Sequence, residues 1–182
     1  LLLRSIPAGI TINIIKCYFR RVNWFQFYKN SKKRSETDNI CHKYNMGKLT
    51  QKEKAELFLK LHHDKEILVI LNSWDPGSSR LIEASGFKAI GTTSMGVSAS
   101  LGYPDCEQIQ FSEMLQAIKR IADKITLPLT VDIEGGFGNN TKDIVNNIRQ
   151  VINTGVVGIN IEDSINRDPE LLDISEFSER IS

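Results

Sequence analysis

Long apolar runs are missing from this sequence. None approaches the ~18 residues that a membrane-spanning helix requires, so no membrane partner is expected. The apolar run over residues 5–15 is broken by Pro7 and Gly9 and followed by Lys16, Arg20 and Arg21. It has the form of neither a membrane helix nor a signal peptide. Cysteine is sparse too. Cys17, Cys41 and Cys106 are odd in number and widely spaced, with no Cys-x-x-Cys pair. That pattern argues against a disulfide framework and for reduced thiols, so the expected compartment is the cytoplasm. Of the three histidines, two are adjacent (His62-His63), and none has metal-ligand spacing. His62-His63 reads as a solvated helix end.

Net charge is also nearly lacking, at +1 over 182 residues, but it is unevenly spread. Residues 1–45 carry nine Lys/Arg against two Asp/Glu, and the remainder carries fourteen against twenty. A mildly acidic domain therefore follows a basic segment. That segment mixes Ile10, Ile12, Ile14 and Ile15 with the aromatics Tyr18, Phe19, Trp24, Phe25, Phe27 and Tyr28 and the clusters Arg20-Arg21 and Lys32-Lys33-Arg34. Neither a helical nor a strand period runs through it. Met46-Gly47-Lys48 before a regular helix reads as a natural start. The expectation is a disordered extension foreign to the fold over residues 1–45, and the folded domain over residues 46–182. Binding of nucleic acid or an anionic membrane surface through the basic segment is the weakest functional reading, and no nucleic-acid partner is expected.

From Thr50 the chain is regular. Thr50-Gln51-Lys52-Glu53 has capping-box spacing and opens a helix to about His62. Residues 67–71, Ile-Leu-Val-Ile-Leu, predict a strand buried on both faces. Asp75 is a suitable N-cap with Pro76 at the first helical position, for a helix ending near Ala84. A second strand is expected over residues 87–93, then a long loop of polar and small residues over 94–108. Ser112 is expected to start a helix with Met114, Leu115, Ile118, Ile121 and Ile125 at helical spacing. Pro128-Leu129-Thr130-Val131 reads as a third strand. Thr141 is a candidate cap for a helix carrying Ile144, Val145, Ile148, Val151 and Ile152. Residues 156–161 predict a fourth strand, residues 166–173 a loop, and Ser175 a last helix. Alternating strands and helices imply parallel strands with right-handed crossovers. The fold class is α/β, as an open doubly wound sheet or a (β/α)8 TIM barrel. For a barrel, about four βα units with a leading helix are half of the full set.

The chemistry-bearing residues gather where strands end. Asp132 and Glu134 are two positions apart at the end of the third strand, so they share a face. The loop Gly135-Gly136-Phe137-Gly138 follows. Alone, such a pair reads as one turn-capping acid and one solvated acid. With Glu162 after the fourth strand and Asp105 on the loop after the second, four carboxylates converge on one mouth. Like charges held together call for a cation, and a hard divalent ion with oxygen ligands suits them.

Five stretches carry a resemblance. They are Asn72-Ser73-Trp74-Asp75 leading into Ser79-Arg80-Leu81; Gly86-Phe87-Lys88-Ala89-Ile90; Ser100-Leu101-Gly102-Tyr103-Pro104-Asp105; Val131-Asp132-Ile133-Glu134-Gly135-Gly136-Phe137-Gly138; and Gly158-Ile159-Asn160-Ile161-Glu162-Asp163-Ser164. In this order the chain resembles the phosphoenolpyruvate mutase/isocitrate lyase superfamily over about residues 50–182. The resemblance implies a (β/α)8 barrel, of which this is the N-terminal half. It also implies Mg2+-dependent chemistry, with Mn2+ as the alternative, on small α-keto, α-hydroxy or phosphono carboxylates through an enolate-like species, in a homo-oligomer. Asp132, Glu134 and Glu162 match the metal-shell carboxylates, the second of which is often Asp. Asp105 matches the catalytic acid of a mobile loop. Thr93, Ser94 and Met95 match the stretch that binds the substrate carboxylate and enolate oxygen. Two features depart from the pattern. Lyase members carry a Cys- and His-containing gating loop where this chain has Ile165-Asn166-Arg167-Asp168-Pro169-Glu170, and the later strands are not in this sequence. The readings are an enzyme of this superfamily, a catalytically inactive remnant of one, or the binder described above.

Overall fold

The structure is a computed structural model that describes the backbone of residues 11–14, 49–165 and 168–181, and the side chains of residues 49–163 and 171–179. In chain order the elements are β1 (Thr11–Ile14), α1 (Gln51–His62), β2 (Leu71–Ser73), α2 (Pro76–Ala84), β3 (Ile90–Thr92), α3 (Ser94–Ser100), α4 (Phe111–Ala122), β4 (Leu129–Asp132), α5 (Thr141–Ile152), β5 (Gly158–Ile161), β6 (Ser164–Ile165), β7 (Asp168–Leu171) and α6 (Ile174–Ile181). Strands β1 to β5 form one parallel sheet in the order β1-β5-β4-β3-β2. From β2 to β5 the strands follow chain order, with helices in each crossover, which is the expected partial (β/α)8 barrel.

The register divides the sheet into two faces. Leu71 pairs with Ile90 and Ile90 with Leu129, while Val131 pairs with Ile159. These residues join Met114, Ile118 and Ile121 of α4 and Ile144, Ile148 and Val151 of α5 in the main core. One position along, Asn72 pairs with Gly91, Gly91 with Thr130 and Thr130 with Gly158. This second face is built of small and polar residues because space is short. A Cβ on Gly91 would lie 2.3 Å from Asn72 Oδ1, and one on Gly158 would lie 2.6 Å from Thr130 Oγ1.

Helix α1 closes the end of the sheet where the strands begin. Ala55 and Phe58 pack against Ala89 and Val157, which immediately precede β3 and β5. Gln51 Nε2 donates to the carbonyls of Ile152 and Val156, both at 2.8 Å. The capping box at Thr50 forms as expected, as does the Asp75 cap of α2. His62 and His63 end α1 in exposed positions, and the His62 ring stands edge-on to Phe58. With one end of the sheet closed by the buried side of α1, the opposite end is left for chemistry.

Several elements differ from the sequence-based expectation. Of the apolar run 67–71 only Leu71 lies in β2, while Ile67 is 91% and Val69 49% exposed. Among the described residues β2 has a strand neighbour on one side only, so it is not enclosed as a central strand would be. The expected loop over 94–108 begins instead with α3, capped by Thr93. Its sequence, Ser-Met-Gly-Val-Ser-Ala-Ser, is poor in helix formers. The first residue of α4 is Phe111 and its N-cap is Gln110, not Ser112. Asn140 rather than Thr141 caps α5, accepting from Asp143 N–H at 3.0 Å. The expected loop over 166–173 contains β7, which pairs antiparallel with β6. The expectation that residues 1–45 lie outside the fold is corrected at one place. Thr11–Ile14 forms β1, in register with Gly158, Ile159, Asn160 and Ile161 of β5. The β-branched Thr-Ile-x-Ile pattern suits a strand, and β5 offers an edge with no other strand partner among the described residues. The remaining residues of 1–45 lie outside the described residues.

Candidate functional site

The mouth of the sheet is assembled around the end of β4. Asp132, its last residue, donates its N–H to Thr92 Oγ1 of β3 at 3.0 Å. Its Oδ2 accepts from Ser94 N–H at 3.2 Å and Ser94 Oγ at 2.9 Å, and its Oδ1 accepts from Glu134 N–H at 3.1 Å. Three donors therefore fix the carboxylate, two of them from the first residue of α3. Oδ1 keeps acceptor capacity beyond its one bond, whereas both lone-pair sites of Oδ2 are engaged.

Beyond Asp132 the chain folds tightly. Glu134, Gly136 and Phe137 have φ values of 51°, 99° and 56°. The left-handed region is costly for residues with a side chain, of order 1–3 kcal/mol each. Other contacts hold the loop there. Asn147 of α5 donates through Nδ2 to the carbonyls of Gly136 and Phe137 at 3.1 and 2.8 Å, and the Phe137 ring meets Phe111 of α4 at 5.8 Å between centroids.

Glu134 is only 5% exposed. Its Oε2 accepts from Glu107 N–H at 2.6 Å, whereas Oε1 is buried with no hydrogen-bond partner among the described residues. Burial pushes its carboxyl up to about 7. The Glu107 N–H pulls in the opposite direction, while the Asp105, Glu107 and Asp132 carboxylates push it further up. This is the shift expected of a desolvated acid among like charges. A buried polar atom left unpaired costs about 1–3 kcal/mol, so this oxygen marks a place where a ligand would relieve strain.

The remaining candidates are distributed around this centre. Glu162 follows β5 and donates its N–H to Glu134 O at 2.8 Å, which ties the two strand ends together. Asp105 is half-buried on the loop between α3 and α4, near enough for its charge to act on Glu134. Ser94 is buried and engaged with Asp132, Thr93 caps α3 through Gly96 N–H, and Met95 is 53% exposed. Within this trio only Ser94 hydrogen-bonds directly to one of the central carboxylates. Asn72 lies over Gly91 on the small polar face.

Glu107 was missed in the sequence. It supplies the N–H to Glu134, and its own Oε1 accepts from Phe137 N–H at 2.8 Å. No local pattern announces it, because its partners lie about thirty residues away in the chain. Asn147 was missed too: its role is to hold two loop carbonyls, those of Gly136 and Phe137, which no side-chain pattern marks.

Among the described residues no group of three or more His, Cys, Asp or Glu side chains is close enough to hold an ion as placed. A fully protein-built cage is therefore not formed. Mg2+ does not require one, since it usually keeps several waters and binds through one or two carboxylates. The buried, unpaired oxygen of Glu134 beside an oriented Asp132 fits that kind of site.

An α/β protein of parallel strands, with acids gathered at the strand C-termini, has the architecture of part of a (β/α)8 barrel, a fold that places its sites at that face. The chain is a member of the phosphoenolpyruvate phosphomutase family, whose sequence model matches residues 58–182. It is 33% identical over 99 residues to the 2-methylisocitrate lyase of Escherichia coli K12, covering 54% of this chain and 33% of that enzyme. A solved structure described as a putative phosphonomutase from Burkholderia cenocepacia J2315 superposes with a TM-score of 0.68 at 37% identity, over 70% of this chain and 51% of that one. A phosphonopyruvate hydrolase solved with oxalate and Mg2+ superposes with a TM-score of 0.64 at 27% identity, over 72% of this chain and 46% of that one. The chain thus spans about half the length of these structural neighbours and a third of the lyase. No helix among the described residues is long and apolar enough to cross a membrane.

Proposed function

We propose that this chain carries the divalent-cation half of an enzyme of the lyase and mutase type, acting on small α-keto, α-hydroxy or phosphono carboxylates. The observation that carries the reading is the buried, unpaired Oε1 of Glu134 beside the oriented carboxylate of Asp132. Support comes from the relatives, which include a C–C lyase and a hydrolase solved with oxalate and Mg2+. Asp132 and Glu134 would hold Mg2+, or Mn2+ in its place, with Glu162 contributing through water. Such an ion supplies charge stabilisation to an enolate oxygen as it develops.

The chain's own groups have definite tasks in this reading. Ser94 fixes the rotation of Asp132. Glu134, nearly excluded from water, strengthens any charge interaction made at its free oxygen. Asp105 stands on a loop edge at the mouth, where a carboxylate can position a substrate or exchange a proton with it. Residues 164–170 contain no Cys or His, so a thiol or imidazole acid would have to come from elsewhere.

Titration of the chain with Mn2+ and then oxalate, followed by calorimetry, tests the proposal. Binding of Mn2+ and Mn2+-dependent binding of oxalate are expected, with at least a tenfold loss of Mn2+ affinity in Asp132→Ala, about the effect of removing one charged partner. Equal Mn2+ affinity in the variant would remove Asp132 from the site. Oxalate binding that is indifferent to the cation would overturn the reading.

A further inference from the structure

We propose that Glu107 is a positioning residue that locks the Asp105 loop onto the carboxylate mouth and presents Glu134 with one oxygen committed and one open. The cation-binding part rests on the function proposed above, whereas the lock itself does not. Among the described residues, the non-glycine positions with positive φ are Cys106, Glu107, Glu134 and Phe137. They come from two loops, and two hydrogen bonds join these loops through Glu107. Its N–H donates to Glu134 Oε2 at 2.6 Å, and its Oε1 accepts from Phe137 N–H at 2.8 Å. Strained backbone that persists where loops meet is a signature of a functional constraint.

The geometry explains why one residue serves both bonds. The left-handed pair Cys106-Glu107 bends the chain just after Asp105. Backbone and side chain of Glu107 then reach the same neighbouring loop. Around this junction both loops are tethered independently. Asn147 holds the carbonyl of Phe137 while Glu107 holds its N–H, and Tyr103 OH donates to Glu113 Oε2 of α4 at 2.9 Å. Asp105 lies between Tyr103 and Glu107, so loss of the Glu107 link leaves it fastened on one side. The N–H on Oε2 also sets the rotation of the Glu134 carboxylate, which leaves Oε1 as its open oxygen.

Three variants separate reach from charge. Glu107→Gln keeps the acceptor oxygen and loses the charge, Glu107→Asp keeps the charge but is one methylene shorter, and Glu107→Ala loses both. Amide hydrogen exchange on the whole chain is read at Phe137 and across residues 103–107, with β4 and β5 as internal references. Glu107→Ala and Glu107→Asp are expected to raise exchange at these amides about tenfold or more, the cost of leaving the Phe137 N–H without its acceptor, while Glu107→Gln stays near wild type. Mn2+ affinity should follow the same order. Unchanged exchange in Glu107→Asp, or equal loosening in Glu107→Gln, overturns the lock, the second because charge rather than reach would then be responsible. If Glu107→Ala does not fold, the Gln and Asp pair still decides. If wild type binds no Mn2+, the proposed function fails and the exchange pattern alone judges the lock.

Discussion

At the scale of single residues the mouth is a balance between burial and charge. The Glu134 carboxyl is held at about 7 in the fold against 4.5 for the free group, mainly by burial. The native state therefore keeps a proton that the unfolded chain releases once the pH exceeds 4.5. Below that value both states are protonated and Glu134 adds no penalty. Between 4.5 and 7 stability falls, and above 7 the full cost, on the order of 3 kcal/mol, is present. Urea denaturation of the cation-free chain at pH 4.5 and pH 8 checks this. The stability difference between Glu134→Gln and wild type should shift in the variant's favour by about that amount across the interval. Added Mg2+ at pH 8 should restore stability to wild type only, and parallel pH profiles for the two proteins would contradict the assignment. Ser94→Ala removes a hydroxyl bonded to a carboxylate while leaving the backbone N–H in place. A cost of about 1.5–3 kcal/mol is expected from the lost charge-assisted bond, measured by the same denaturation series. The two acids themselves were legible in the sequence as a D-x-E at a strand end. Glu107 was not, since its role depends on a left-handed backbone and partners on a distant loop.

At the scale of elements, periodicity and caps account for what was legible. α4 and α5 carry apolar residues at helical spacing, and most of those residues are buried, Leu115 and Val145 only partly. Asp75 and Pro76 marked the start of α2, and the structure forms the capping box there. The failures share a cause, which is that local pattern does not report neighbours. The apolar run at 67–71 looked like a central strand, but among the described residues β2 pairs with β3 alone. The helix α3 was hidden by small residues of low helix propensity and is held by its Thr93 cap and by Ser94 at Asp132. Caps also supply a paired test. Asp75→Ala should cost about 1 kcal/mol because it removes the acceptor for Ser78 N–H at 2.6 Å. Gln110, the N-cap of α4, makes no such bond. Gln110→Ala should therefore be nearly neutral, and Gln110→Asp should stabilise by about 1 kcal/mol. Thermal melts of the three variants check both halves, and an equal loss from Asp75→Ala and Gln110→Ala would refute the distinction.

At the scale of the whole molecule the governing feature is a parallel sheet that is open among the described residues. One edge is β2 and the other is β1, which covers the side of β5. Pairing of Thr11–Ile14 with β5 spans four residues. Net hydrogen-bond gains of about 1 kcal/mol each are roughly offset by backbone ordering of about 1–2 kcal/mol per residue. Removing β1 should therefore move the denaturation free energy by no more than about 1–2 kcal/mol by these two terms. Its larger consequence is for association. An uncovered β5 presents a strand edge, and β2 presents another on the far side of the same sheet among the described residues. Exposed edges of this kind template pairing with other chains. Contact between β2 of one copy and β5 of the next is heterologous, so it propagates rather than closing into a dimer. A chain beginning at Met46 should accordingly keep its denaturation midpoint within that small range. It should also show a concentration-dependent ladder of assemblies by light scattering, beyond that of the longer chain. Addition of a peptide spanning residues 9–16 should suppress the ladder by refilling the edge. A truncated chain with the same scattering as the longer one would mean that β1 does not guard β5. A truncated chain that melts many degrees lower would mean that β1 contributes buried packing in addition to its four backbone pairs.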